Sequence, residues 1–117
     1  AESYAAVAAT LASEASLEAD ITAADALLRA GQLTEAKDLL TTAVASARRS
    51  LGSANMTTGQ LLLRLGEAQI GLGETAAAQS ALRQSITSFD TSLRHWRDYD
   101  RAVIWLVALL TDDGRLN

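Results

Sequence analysis

The sequence predicts an all-α fold of repeated antiparallel helical hairpins, and three observations carry that expectation. Gly31, Gly73 and Gly114 recur at separations of 42 and 41 residues, and self-similarity at a fixed period is the mark of a repeat architecture. Around these glycines apolar residues step by three and four, which keeps them on one face of a helix. With 24 alanines, 19 leucines and no proline in 117 residues, the chain is rich in side chains that lose least on entering a helix, and nothing interrupts one. At this length it reads as one domain, 1–117, large enough to bury a continuous core.

Residues 2–14 carry Tyr4, Val7 and Leu11 on one stripe and form a first helical stretch. Only Ser13 and Ser16 hint at a break before the next stretch, about 16–30, so whether residues 2–30 make one helix or two stays open. Gly31-Gln32-Leu33-Thr34-Glu35-Ala36 leads into a helix of about 33–51 with Leu39, Leu40, Ala43, Val44 and Ala47 on its apolar face. Leu51-Gly52-Ser53-Ala54-Asn55 reads as a polar loop. Thr57 and Gln60 have the spacing of a capping box, which predicts a helix starting near Thr58 and running to Leu72. Its stripe is Leu62, Leu65, Gly66, Gln69 and Ile70.

Gly73-Glu74-Thr75-Ala76-Ala77-Ala78 opens a helix of about 74–93, in which Ala81, Leu82, Ser85, Ile86 and Phe89 keep the offsets that Leu39 to Ala47 hold from Gly31. A last helix of about 99–112 carries Val103, Leu106, Val107, Leu110 and Thr111. Gly114-Arg115-Leu116-Asn117 then reads as the opening of another turn and helix. The units are about 16–56, 57–97 and an incomplete 98–117, as expected of a fragment of a longer protein. Glycine suits each turn because the residue after a helix C-terminus commonly takes a left-handed conformation that a Cβ makes costly. Ala36, Ala78 and Gly66 are small enough to let the two helices of a hairpin approach closely.

These residues resemble the tetratricopeptide repeat. Leu62, Leu65-Gly66, Gly73, Ala78 and Leu82 match its pattern in the middle unit, and Ala26, Gly31, Leu33, Ala36, Leu40 and Ala43 match parts of it in the first. The period exceeds the ~34 residues of the common form, so the chain looks like the longer variant of kinesin light chains and many bacterial regulators. Leu51-Gly52 and its loop fit that variant. Gln69 and Thr75 stand where the family has turn-packing aromatics, and the second Leu-Gly has become Leu93-Arg94. The resemblance covers residues 16–117 and implies a right-handed superhelix of antiparallel hairpins whose first helices line a concave groove.

Composition narrows the partner classes. Residues 1–47 hold seven acids against Arg29 and Lys37, and the whole chain is at −4 with no basic cluster, which argues against nucleic acid. No apolar run approaches the ~18 residues of a membrane span; the longest, Ala102 to Leu110, has nine. The absence of cysteine excludes disulfides and Cys-type metal sites and is compatible with a reducing, cytoplasmic compartment. Nine arginines to one lysine suggest a GC-rich, bacterial genome.

Nothing points to an enzyme, a metal or a cofactor. His95 is the sole histidine, and a base needs a nucleophile and an orienting group beside it. Asp112-Asp113 reads as a polar helix end. Gly71-Leu72-Gly73 lacks the preceding strand and following Gly-Lys-Ser/Thr of a phosphate loop. Trp96, Tyr99 and Trp105 crowd into ten residues; Trp105 is expected to fill the space between hairpins while the other two pin the loop, with a partner anchor as the other reading.

Carried over from the resemblance, the groove positions are Glu18, Ile21, Asp25 and Leu28 in the first unit, Gln60, Leu63, Glu67 and Ile70 in the second, and Arg101, Ile104, Ala108 and Thr111 in the third. For Leu63 and Ile104, packing beneath a neighbouring helix is an equal reading. The implied function is a non-catalytic protein-interaction module that binds a peptide or partner domain in the groove of a larger bacterial signalling or regulatory protein. Two further readings stand: a ligand- or peptide-sensing domain controlling an attached kinase or DNA-binding domain, and self-association through the rather apolar C-terminal helix, giving a homo-oligomer.

Overall fold

The computed structural model describes residues 2–89 and 96–112, with side chains over 12–89 and 97–111. The described residues form five helices: α1 (Glu2–Arg29), α2 (Leu33–Ser50), α3 (Met56–Gly71), α4 (Thr75–Phe89) and α5 (Trp96–Asp112). The first helix is continuous through Ser13 and Ser16. Two isolated serines cost a helix only a few tenths of a kcal/mol each. Leu93, Arg94, His95, Asp113 and the Gly114–Asn117 segment lie outside the described residues, as do residues 90–93 of the helix expected over 74–93.

Consecutive helices fold as hairpins, and α3 packs against all four others. Gly31 and Gly73 both adopt left-handed φ, at 78° and 80°. Their turns repeat bond for bond: Gly31 N donates to Leu28 O and Gln32 N to Leu27 O, while Gly73 N donates to Ile70 O and Glu74 N to Gln69 O. This is the Schellman arrangement, which satisfies the last carbonyls of the helix before the turn. Gly52 is a third left-handed glycine, at 87°, and closes the end of α2.

One expectation needs correcting. The helix after the loop starts at Met56, not Thr58, and its cap is Asn55, whose Oδ1 accepts from Thr57 N at 2.8 Å. Asparagine caps at least as well as threonine, and Thr58 Oγ1 is engaged elsewhere, donating to Gly52 O at 2.8 Å.

The core forms two clusters on either side of α3. Leu17, Ala24, Ala36, Leu40, Ala43, Val44, Ala47, Leu61 and Leu62 join α1, α2 and α3. Leu63, Ala78, Leu82, Ala102 and Leu109 join α3, α4 and α5. The small residues sit where helices meet most closely: Ala36 and Ala78 are fully buried, and a Cβ on Gly66 would lie 2.9 Å from Leu82 Cγ. Gly71 has a packing role of the same kind, since its added Cβ would fall 2.5 Å from Leu33 Cδ1.

Candidate functional site

Helices α1, α3 and α5 are the first helices of successive hairpins, and their outer faces meet along one side of the molecule. A line of polar side chains crosses all three. Arg64 on α3 is buried although charged, and its Nε donates to Asp25 Oδ1 on α1 at 2.8 Å. Its Nη1 donates to the Gln60 carbonyl at 3.0 Å and lies 4.0 Å from Asp98 Oδ2 on α5. Gln60 Nε2 donates to the same Asp98 oxygen at 3.3 Å.

Further along the face, Arg101 Nη2 on α5 donates to Glu67 Oε1 on α3 at 3.0 Å. Its Nε lies 2.8 Å from Glu67 Oε2, in a geometry that makes an ion contact rather than a hydrogen bond. Trp105 Nε1 donates to Glu67 Oε2 at 3.0 Å. Arg101 Nη1 is 3.9 Å from Asp98 Oδ1, so Asp25, Arg64, Asp98, Arg101 and Glu67 form a strip of alternating charge. Solvent screens the exposed members to a fraction of a kcal/mol each. Arg64 differs, because a buried charge left without partners is expensive.

Two hollows open on this face. One, of about 440 Å³, is lined by Asp25, Leu28, Arg29, Glu67, Arg101 and Trp105. The other, of about 360 Å³, lies between the middle of α1 and the N-terminal end of α3 and is bordered by Glu14, Glu18, Ile21, Met56, Thr57 and Gln60. Arg29, Glu14 and Glu18 form no ion pair among the described residues, so the groove is acidic at one end and basic and aromatic at the other.

Of the residues expected in the groove, Asp25, Gln60, Glu67 and Arg101 come together in the polar strip, and Glu18, Ile21 and Leu28 border the hollows. Leu63 does not belong there. It is fully buried in the second core cluster, because it faces α4 across the hairpin. Ile70 packs partly on that cluster. Ile104 is 66% exposed but holds the register of Leu63, one unit on, and so lies on the hairpin face of α5. Ala108 is half-buried and Thr111 exposed.

Arg64, Arg29 and Asp98 were not anticipated, and Trp105 spans α5 and α3 by its indole N–H rather than filling an interhairpin gap. The groove stripe advances as i, i+4 and i+7, through 18, 22, 25 and 29 on α1 and through 60, 64 and 67 on α3. Adding the i+4 member to the repeat offset finds Arg64 and Trp105. Of the other aromatics expected to matter, Tyr99 is half-buried, and the Trp96 side chain lies outside the described residues.

Among the described residues no group of His, Cys, Asp and Glu side chains could hold a metal ion, and no helix is long and apolar enough to cross a membrane. Comparison with family profiles matches the tetratricopeptide repeat over residues 16–91. Comparisons with curated proteins and with solved structures give no match.

Proposed function

We propose, from the premise that this chain belongs to the tetratricopeptide repeat family, that it binds a peptide or partner domain along the face of α1, α3 and α5. Domains of this family generally serve protein–protein interaction, and they are typically non-catalytic. The observation that carries the reading is the strip from Asp25 through Arg64, Asp98 and Arg101 to Glu67, which gathers polar side chains from three helices beside two open hollows. An extended or helical segment with a basic residue toward Glu14 and Glu18 and an acidic or aromatic residue toward Arg29 and Trp105 complements those hollows. The setting we favour is a bacterial cytoplasmic signalling or regulatory protein, with the groove holding its partner in place.

The test is selection from a displayed peptide library, followed by affinity measurements on Glu18→Lys and Arg29→Glu. Both residues are exposed and unpaired among the described residues, so folding should be unchanged by circular dichroism. Selected peptides should lose about tenfold or more in affinity, the scale of a charge-assisted contact turned repulsive. Equal binding to the parent and both variants would sink the groove assignment.

A second reading has its own observation. On α1 and α3 the hairpin face is covered by α2 and α4, yet its counterpart on α5 leaves Ile104 66% and Val107 47% exposed. Self-association through this face is the alternative.

A further inference from the structure

Away from the charged strip, α2 and α4 run beside each other with their backbones held apart. Polar side chains bridge the gap: Lys37 Nζ lies 2.8 Å from Oε1 of Glu74, the residue before α4, and Arg48 donates to Gln84 further along. Beneath the gap lie Leu62 and Leu65 of α3, forming an apolar floor. A hollow of about 370 Å³ reaches the Arg48–Gln84 bridge, and a second of about 480 Å³ continues past Arg48. Leu62, Arg48 and Gln84 border both, so the two make one groove.

Its polar groups are unevenly satisfied. Gln69 borders the first hollow and is only 8% exposed, yet its Oε1 is buried without a hydrogen-bond partner. A buried acceptor left unpaired costs about 1–3 kcal/mol, and such groups call for an explanation. At the other end Arg48 and Arg83 border the second hollow together with Ser53, Thr87 and Ser88. Neither guanidinium meets a carboxylate among the described residues, in a chain whose net charge is −4.

We infer that this groove is a second binding site, one that takes an extended acidic segment of a partner polypeptide, independently of the face of α1, α3 and α5. An acidic side chain answers Arg48 and Arg83, apolar neighbours cover Leu62 and Leu65, and a backbone N–H meets Gln69 Oε1. A free phosphate would answer only the two arginines. A helix would bring backbone N–H groups already bonded within itself, whereas an extended chain brings them free. With partners on both faces, the domain acts as a bridge between two proteins.

The probe is a fluorescein-labelled peptide of alternating leucine and glutamate, read by anisotropy. It should bind the parent, and a lysine-for-glutamate version should not. Affinity should fall about tenfold in Arg83→Gln and in Gln69→Leu, the scale of a lost charged or buried hydrogen bond. Arg49→Gln, an exposed arginine that borders neither hollow, should bind as the parent does. Gln69→Leu removes an unpaired acceptor, so its Tm should hold or rise, which separates lost binding from lost folding. The inference is overturned if the acidic peptide fails to bind, if Arg83→Gln binds it as tightly as the parent, or if Gln69→Leu does. Displacement of the peptide by millimolar inorganic phosphate from parent and Gln69→Leu alike would also overturn it, reducing the site to a bare anion contact.

Discussion

Arg64 is a charged side chain held in the interior by three neighbours: Asp25, Asp98 and the Gln60 carbonyl. Its aliphatic stem packs while its guanidinium answers carboxylates from two other helices. Arg64→Ala should cost about 2–4 kcal/mol, through lost packing and the Asp25 carboxylate left without its cation. Arg64→Met keeps the stem and should cost less; urea unfolding of both variants checks the order. Glycines separate in a similar way by cause. Gly31→Ala should cost about 1–2 kcal/mol for its left-handed backbone alone, since nothing lies within 4 Å of the added Cβ. Gly66→Ala should cost about 1–2 kcal/mol net, because overpacking against the fully buried Leu82 outweighs the helix-propensity gain. Leu82→Val should therefore couple to Gly66→Ala in a double-mutant cycle and add independently to Gly31→Ala.

Helix boundaries follow local chemistry where a cap or a glycine acts alone, and tertiary contacts decide the rest. Asn55 caps α3 because its side chain reaches Thr57 N, while Thr58 turns back to the loop. Asn55→Ala should cost about 0.5–2 kcal/mol, and Thr57→Ala a few tenths. Chemical denaturation giving the reverse order would restore the capping box expected from Thr57 and Gln60. The two hairpins show the same logic at their turns. Gly31 and Gly73 make matching hydrogen bonds, and the helix after each begins with the same contact, Ala36 N to Gln32 O and Ala78 N to Glu74 O. A turn whose bonds all lie within six residues folds alike wherever its sequence recurs.

The assembled helices form an elongated body, 57 × 30 × 20 Å, with a radius of gyration of 14.8 Å. An array in which each hairpin meets only its neighbours exposes long faces on both sides, and both carry grooves here. Its α5 end is different, since Ile104 and Val107 occupy a hairpin face that has no covering helix among the described residues. If that face drives self-association, sedimentation should show mass rising with concentration for the parent and a monomer for Ile104→Glu/Val107→Glu. A parent that stays monomeric at high concentration would remove the self-association reading.

The amino-acid sequence by itself determined the helical class, the repeat, the left-handed glycines and the small residues at helix contacts. Each of these depends on side-chain size or backbone preference within about one turn, or on a period that the chain states twice. The proposed groove was only partly legible: Asp25, Gln60, Glu67 and Arg101, carried over from the family resemblance, meet in the polar strip, while Leu63 lies in the core. A helix carries its hairpin face and its groove face only about 100° apart, and the packed neighbour decides which residues fall on which side. Tertiary structure alone buried Arg64 between carboxylates from two other helices, seated Trp105 on Glu67 and left Gln69 Oε1 unpaired between α2 and α4. Those outcomes depend on distances between residues some forty positions apart, which the pattern within any one helix does not encode.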